Sequence, residues 1–133
     1  MQLFQYIQSP HLDYLNLSGL FECLFLLFLL SSCSTQQTQL YQISDLAETQ
    51  QLLLRKKTFS RSTYGLLIMG KGKIDGRARI ALLLDGNVYK TEMISGRVRF
   101  QWQEKWRDSH AIIRYQPLNV TEGNLRFSVT FLD

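Results

Sequence analysis

Ile74-Asp-Gly-Arg-Ala-Arg-Ile-Ala-Leu-Leu-Leu84 is the stretch on which the fold turns. Ile74, Ala78, Ile80, Leu82 and Leu84 share one parity, and Asp75, Arg77 and Arg79 hold the other. A period of two puts one set in a core and the other in water, which describes a half-buried β-strand. Asp85-Gly86-Asn87 then supplies a hairpin turn. Further strands are predicted at Val88–Ile94, Arg97–Gln103, His110–Gln116 and Leu125–Leu132, with apolar alternation such as Val98, Phe100, Trp102 or Leu125, Phe127, Val129, Phe131. With Tyr64–Met69 upstream, the chain reads as mainly β: a small antiparallel sandwich or barrel of six to seven strands.

Two segments echo each other. Ile74-Asp-Gly-Arg-Ala-Arg-Ile80 and Ile94-Ser-Gly-Arg-Val-Arg-Phe100 align twenty residues apart. Two copies do not make a repeat architecture, and both read as strands entered through a glycine bend. Gly70-Lys-Gly-Lys-Ile-Asp-Gly76 has neither the spacing nor the following helix of a phosphate loop, so its glycines are expected in a hairpin or bulge.

Upstream, one short helix is expected. Ser44 is a candidate N-cap, Asp45 and Glu48 fall in its first turn, Leu46, Ala47, Leu53 and Leu54 mark a stripe, and Arg55–Lys57 suit its C-terminus. The alternative is an extended linker entering a strand at Leu52. The polar stretch 34–39 reads as a tether.

Leu24–Leu30 is an uninterrupted apolar run, too short to span a bilayer, which needs roughly 20 residues, but of the length of a signal-peptide hydrophobic region. It ends in Leu30-Ser31-Ser32-Cys33. This tetrapeptide resembles the lipobox of bacterial lipoproteins. The resemblance implies cleavage between Ser32 and Cys33, a diacylglycerol thioether on Cys33 and acylation of the freed amine. Several acyl chains, at about 0.8 kcal/mol per buried CH₂, anchor firmly where one is marginal. Ser34, where an Asp would retain such a protein at the inner membrane, implies an outer-membrane, periplasm-facing destination. The basic region that normally precedes the apolar run is missing, since residues 1–54 contain no Lys or Arg. An ordinary buried helix with an unmodified Cys33 is the competing reading. The expected division is a signal peptide at 1–32, a tether at 33–43 and a β-rich domain at 44–133.

Of 133 residues, 45% are hydrophobic and 12% aromatic, enough to build one core and exclude a disordered chain. From Cys33 onward, fifteen Lys and Arg face nine Asp and Glu, an excess of six positive charges. Such an excess favours phosphate-bearing lipids, anionic glycolipid or nucleic acid.

Arg77, Arg79, Arg97 and Arg99 have outward parity on two strands and would form a basic patch where those strands meet; a solvated strand face is the bland reading. Trp106 with Arg107 could stack on a partner from a loop, although such a Trp more often closes a core. His110 is the only histidine after the apolar run. A triad with Asp108 and Ser109 is disfavoured because strand neighbours point to opposite faces. No metal or cofactor motif is present. The chain is therefore expected to bind rather than catalyse, as an envelope structural, assembly or inhibitor-type module with an envelope protein or anionic glycolipid as partner. The rival is a soluble basic barrel in which Phe100, Trp102 and Trp106 face a nucleic acid or other polyanion.

Overall fold

The alternation around Ile74 does mark a strand, but one that runs far beyond it. The computed structural model describes residues 36–57 and 61–133. They form β1 (Thr38–Gln42), β2 (Gln50–Arg55), β3 (Gly65–Leu84), β4 (Asn87–Lys105), β5 (His110–Pro117) and β6 (Gly123–Leu132). All ladders are antiparallel, in the order β1-β6-β3-β5-β2, with β4 along the other edge of β3. The mainly β, barrel-like architecture expected from the alternation is present.

Two strands carry the topology. β3 pairs with β6 from Gly65 to Ile74 and with β5 from Ala78 to Leu83, while β4 follows it throughout. Between the two halves Ile74 faces Gly96 and Arg77 faces Ser95, so Asp75 and Gly76 are surplus on β3. A surplus of this kind bends a strand and increases its twist. The bend doubles the sheet over. Lys90 and Glu104 lie fourteen residues apart on β4, about 45 Å if it were straight, yet they form an ion pair of 2.5 Å. Likewise Trp102 Nε1 donates to Glu92 Oε2 at 2.8 Å, Lys90 Nζ sits 5.7 Å above the Trp102 ring, and Tyr89 meets Trp106 edge-on with centroids 5.5 Å apart.

Two four-stranded layers result. The first contains β1, β6, Gly65–Ile74 of β3 and Gly96–Lys105 of β4; the second contains β2, β5 and the remaining halves of β3 and β4. Leu66, Ile68, Ile80, Leu82, Val98, Trp102, Ile113, Leu125, Phe127 and Val129 fill the space between them. The echoing segments lie opposite each other at the bend, which is why both carry a glycine there. Asp85 and Gly86, with φ of 50° and 79°, make the two-residue hairpin whose twist suits the flanking strands.

Three expectations are corrected. Tyr64–Met69 joins the strand through Ile74, and Val88–Ile94 joins Arg97–Gln103, because the glycines supply a bulge rather than a hairpin. Residues 44–57 form no helix. Asp45 Oδ1 accepts from Ala47 N at 2.9 Å to make a side-chain turn, and Gln50 begins β2, where Leu54 is buried and Leu53 is 46% exposed: a strand alternation, not a helical stripe. Tyr115 Oη donates to Leu46 O at 2.7 Å and pins this turn to the core. Burial, with Asp75 and Asp45 adding, pushes that hydroxyl up to about 12, so it remains a donor. Finally, the tether does not reach residue 43: Thr38–Gln42 is β1, paired with β6. The expected signal segment 1–32 and Cys33 lie outside the described residues.

The β5–β6 loop straps the bend. Asp75 accepts from Thr121 N at 2.9 Å and from Thr121 Oγ1, while its own N–H donates to Glu122 O at 3.2 Å. Asn119 Oδ1 accepts from Arg77 N at 2.6 Å. The Thr121 hydroxyl first, then backbone N–H groups, hold the Asp75 carboxyl down at about 2. A depressed carboxyl stabilises the fold above its unfolded value and loses that contribution as pH falls through the folded one. Urea midpoints should therefore fall between about pH 4 and about pH 2 more steeply in the wild type than in Asp75→Asn, which has nothing to titrate there. Equal slopes would remove Asp75 from the acid response.

Candidate anion-binding face

On β3 the odd residues of the first layer point outward, because the even ones, Leu66, Ile68 and Ile74, are in the core. Register then assigns the rest of that face. The row at Lys71 contains Gln42, Arg126 and Arg99; the row at Lys73 contains Asn124 and Arg97. Towards the other end come Leu40, Ser128, Met69 and Gln101, then Thr38, Thr130, Leu67 and Gln103, then Leu132, Gly65 and Lys105. Six cations occupy this surface, and no Asp or Glu does.

The carboxylates of the described residues lie elsewhere. Asp45 and Glu48 are in the β1–β2 turn, Asp75 and Glu122 at the strap, Asp85 in the hairpin, and Asp108 in the β4–β5 loop. Glu92 and Glu104 turn inward to Trp102 and Lys90, and Asp133 pairs with the buried Lys56 at 2.5 Å. None of Lys71, Lys73, Arg97, Arg99 and Arg126 pairs with a carboxylate of the described residues.

This arrangement opposes stability. Lys71 lies directly opposite both Arg99 and Arg126, and Lys73 opposite Arg97. Cross-strand neighbours have Cβ atoms about 5 Å apart, where like charges destabilise a sheet. Edge protection explains charge on β4, an edge strand. It does not explain Lys71 and Lys73 on central β3, or Arg126 on β6 between two partners. A groove of about 480 Å³ crosses the same region, lined by Leu40, Met69, Lys71, Asn124, Arg126 and Ser128.

The four arginines expected to form one patch are divided by the bulge. Arg97 and Arg99 belong to the first layer with Lys71, Lys73 and Arg126; Arg77 faces Ser95 and Arg79 faces Met93 and Gln116 on the second. Arg126 was legible as an outward position of a predicted strand, whereas Lys71 and Lys73 fell in the glycine-rich segment expected to turn or bulge, and without the register nothing joins the three.

Trp106 does not offer a stacking surface. It is 2% exposed, and its Nε1 donates to His110 O at 3.0 Å. Arg107 beside it is exposed on the loop. Phe100 and Trp102 face inward, so the aromatic platform imagined for a nucleic-acid barrel is absent from this layer. Asp108 Oδ1 does reach His110 Nδ1, at 2.9 Å, because Asp108 lies in the loop before β5 and is free of the strand's alternation. No hydroxyl or thiol among the described residues hydrogen-bonds that imidazole. Among the same residues no group of three or more His, Cys, Asp or Glu side chains could hold a metal ion.

No protein-family model and no curated protein matches the sequence. Among solved structures the chain is similar to PirA, at 10% identity and a TM-score of 0.45 over 76% of this chain and 98% of that one. It is similar also to the coat protein of Tobacco streak virus, at 14% identity and a TM-score of 0.38 over 77% of this chain and 90% of that one. At these scores neither likeness bears on function.

Proposed function

We propose that this chain is a cell-envelope lipoprotein, anchored through lipid on Cys33 after cleavage behind Ser32, whose β domain acts as a binding or assembly module. The observation that carries the reading is the apolar run Leu24–Leu30 ending in Leu30-Ser31-Ser32-Cys33. It is supported by where the folded unit begins: that unit spans Gln36–Asp133, so cleavage ahead of Cys33 would remove nothing from it. Ser34 favours the outer membrane and a domain facing the periplasm, with an envelope protein or anionic glycolipid within reach. Binding rather than catalysis suits a domain whose most distinctive surface is a field of cations that pair with no carboxylate among the described residues.

Metabolic labelling with a fatty-acid analogue tests the reading. Wild type should take up label and Cys33→Ala should take up none. An unlabelled wild-type chain would leave the soluble, polyanion-binding barrel as the better account.

A further inference from the structure

We propose that the outward face of the first layer docks on the phosphate-bearing lipid headgroups of the bilayer that holds the anchor. This inference rests on the lipoprotein reading and adds an orientation to it. Three observations carry it.

The first is reach. Only Ser34–Gln37 separate Cys33 from β1. Five residue steps span at most about 18 Å even when fully extended, so the domain cannot stand clear of the membrane and some surface must lie close to it. The second is position. The tether enters at β1, which belongs to the first layer, and Leu40 on that strand points outward at 80% exposure. The layer that the tether joins is thus the one with six cations, no carboxylate among the described residues and an exposed leucine beside the groove. The third is the chemistry of the face. Its like-charge rows suit a two-dimensional array of phosphates, while its lack of exposed aromatic rings gives no stacking surface for nucleobases. Arg donates two parallel hydrogen bonds to a phosphate, and Lys adds a point charge. An anionic leaflet attracts such a surface over roughly a Debye length.

The second layer makes a useful control. Its outward cations Arg55, Arg77, Arg79 and Arg114 are spread around a central apolar row of Leu53, Ile112, Leu83 and Val88, and the exposed Glu92 lines a groove beside Arg79 and Arg114.

The test uses the full chain as isolated from cells, with Cys23→Ser; where Cys33 carries lipid, labelling is confined to an introduced thiol, and where it does not, Cys33→Ser is added before labelling. Leu40→Cys in one sample and Leu53→Cys in another carry an environment-sensitive fluorophore. Each is added to vesicles of phosphatidylcholine with or without phosphatidylglycerol, doped with a headgroup-linked quencher. Quenching at position 40 should exceed that at 53, require phosphatidylglycerol and fall as salt rises. Reversing Lys71 and Arg99 to Glu should weaken the docked state on the order of a hundredfold or more, returning position 40 to its value in phosphatidylcholine. Lys71→Gln with Arg99→Gln, which only relieves repulsion, should lower quenching without lowering thermal stability.

Equal quenching at the two positions, or none that depends on phosphatidylglycerol, would overturn the docking. So would tight binding of a single-stranded polynucleotide that Lys71→Glu with Arg99→Glu abolishes while vesicle quenching is unmoved. Intact mass on the same samples shows whether Cys33 carries lipid. A bare thiol would refute the anchor alone, because charge can still bring position 40 to anionic vesicles.

Discussion

Alanine at Gly123 is expected to cost the domain about 3–5 kcal/mol, from backbone strain and forced overlap together. Gly123 opens β6 at φ 142°, a conformation that side chains rarely adopt, and an added Cβ would lie 2.1 Å from Lys73 O and 2.9 Å from Ile74 Cα. Neither of those atoms can retreat. They belong to the backbone of β3 at the bend, where the strand changes partner from β6 to β5. Since a domain of this size has a total stability of about 5–15 kcal/mol, the variant should melt at least about 12 °C lower or fail to accumulate. Gly86→Asn is the control: the turn is open, with nothing within 4 Å of an added Cβ, and Asn tolerates positive φ. Thermal melts followed by far-ultraviolet circular dichroism would decide it, and a near-native melt of Gly123→Ala would show that the bend is not built as described.

The second large effect is at Trp106, where truncation to alanine should destabilise by about 3–5 kcal/mol. The ring fills the end of the core, contacts Tyr89 and donates through Nε1 to His110 O; the backbone N–H, which donates to Tyr64 O at 3.1 Å, is kept by alanine. Trp106→Phe should lose less, mainly the hydrogen bond to His110 O. A residue that served only to stack on a partner would behave in the opposite way, leaving the melt intact and weakening binding. Trp102 and Trp106 are both buried, so emission of the native chain should be blue-shifted and shielded from iodide. Quenching as strong as for free tryptophan would contradict that placement.

The strands were legible because burial on one face imposes a period of two, which Ile74–Leu84 and Leu125–Leu132 display openly. Their lengths were not, because Gly70, Gly72, Gly76 and Gly96 look like punctuation while three of them lie inside β3. Residues 44–57 misled for a related reason. Leu53 and Leu54 fit a helical stripe, but pairing of Leu53 with Ile112 and Leu54 with Ala111 outweighs the weak preference of so short a segment. The candidate face was half visible. Arg97 and Arg99 could be read as outward, yet only the register brings Lys71, Lys73 and Arg126 beside them and sends Arg77 and Arg79 to the other layer. A basic surface is a property of strand pairing, and pairing is non-local.

The anchoring proposed for this domain rests on a lipid at one sulfur, and the intact mass of the chain recovered from fractionated cells tests it most directly. The account predicts a membrane-bound chain that begins at Cys33 and carries the added mass of diacylglycerol and an amide-linked acyl group. A soluble chain that retains residues ahead of Cys33 and a free thiol at that position would contradict it.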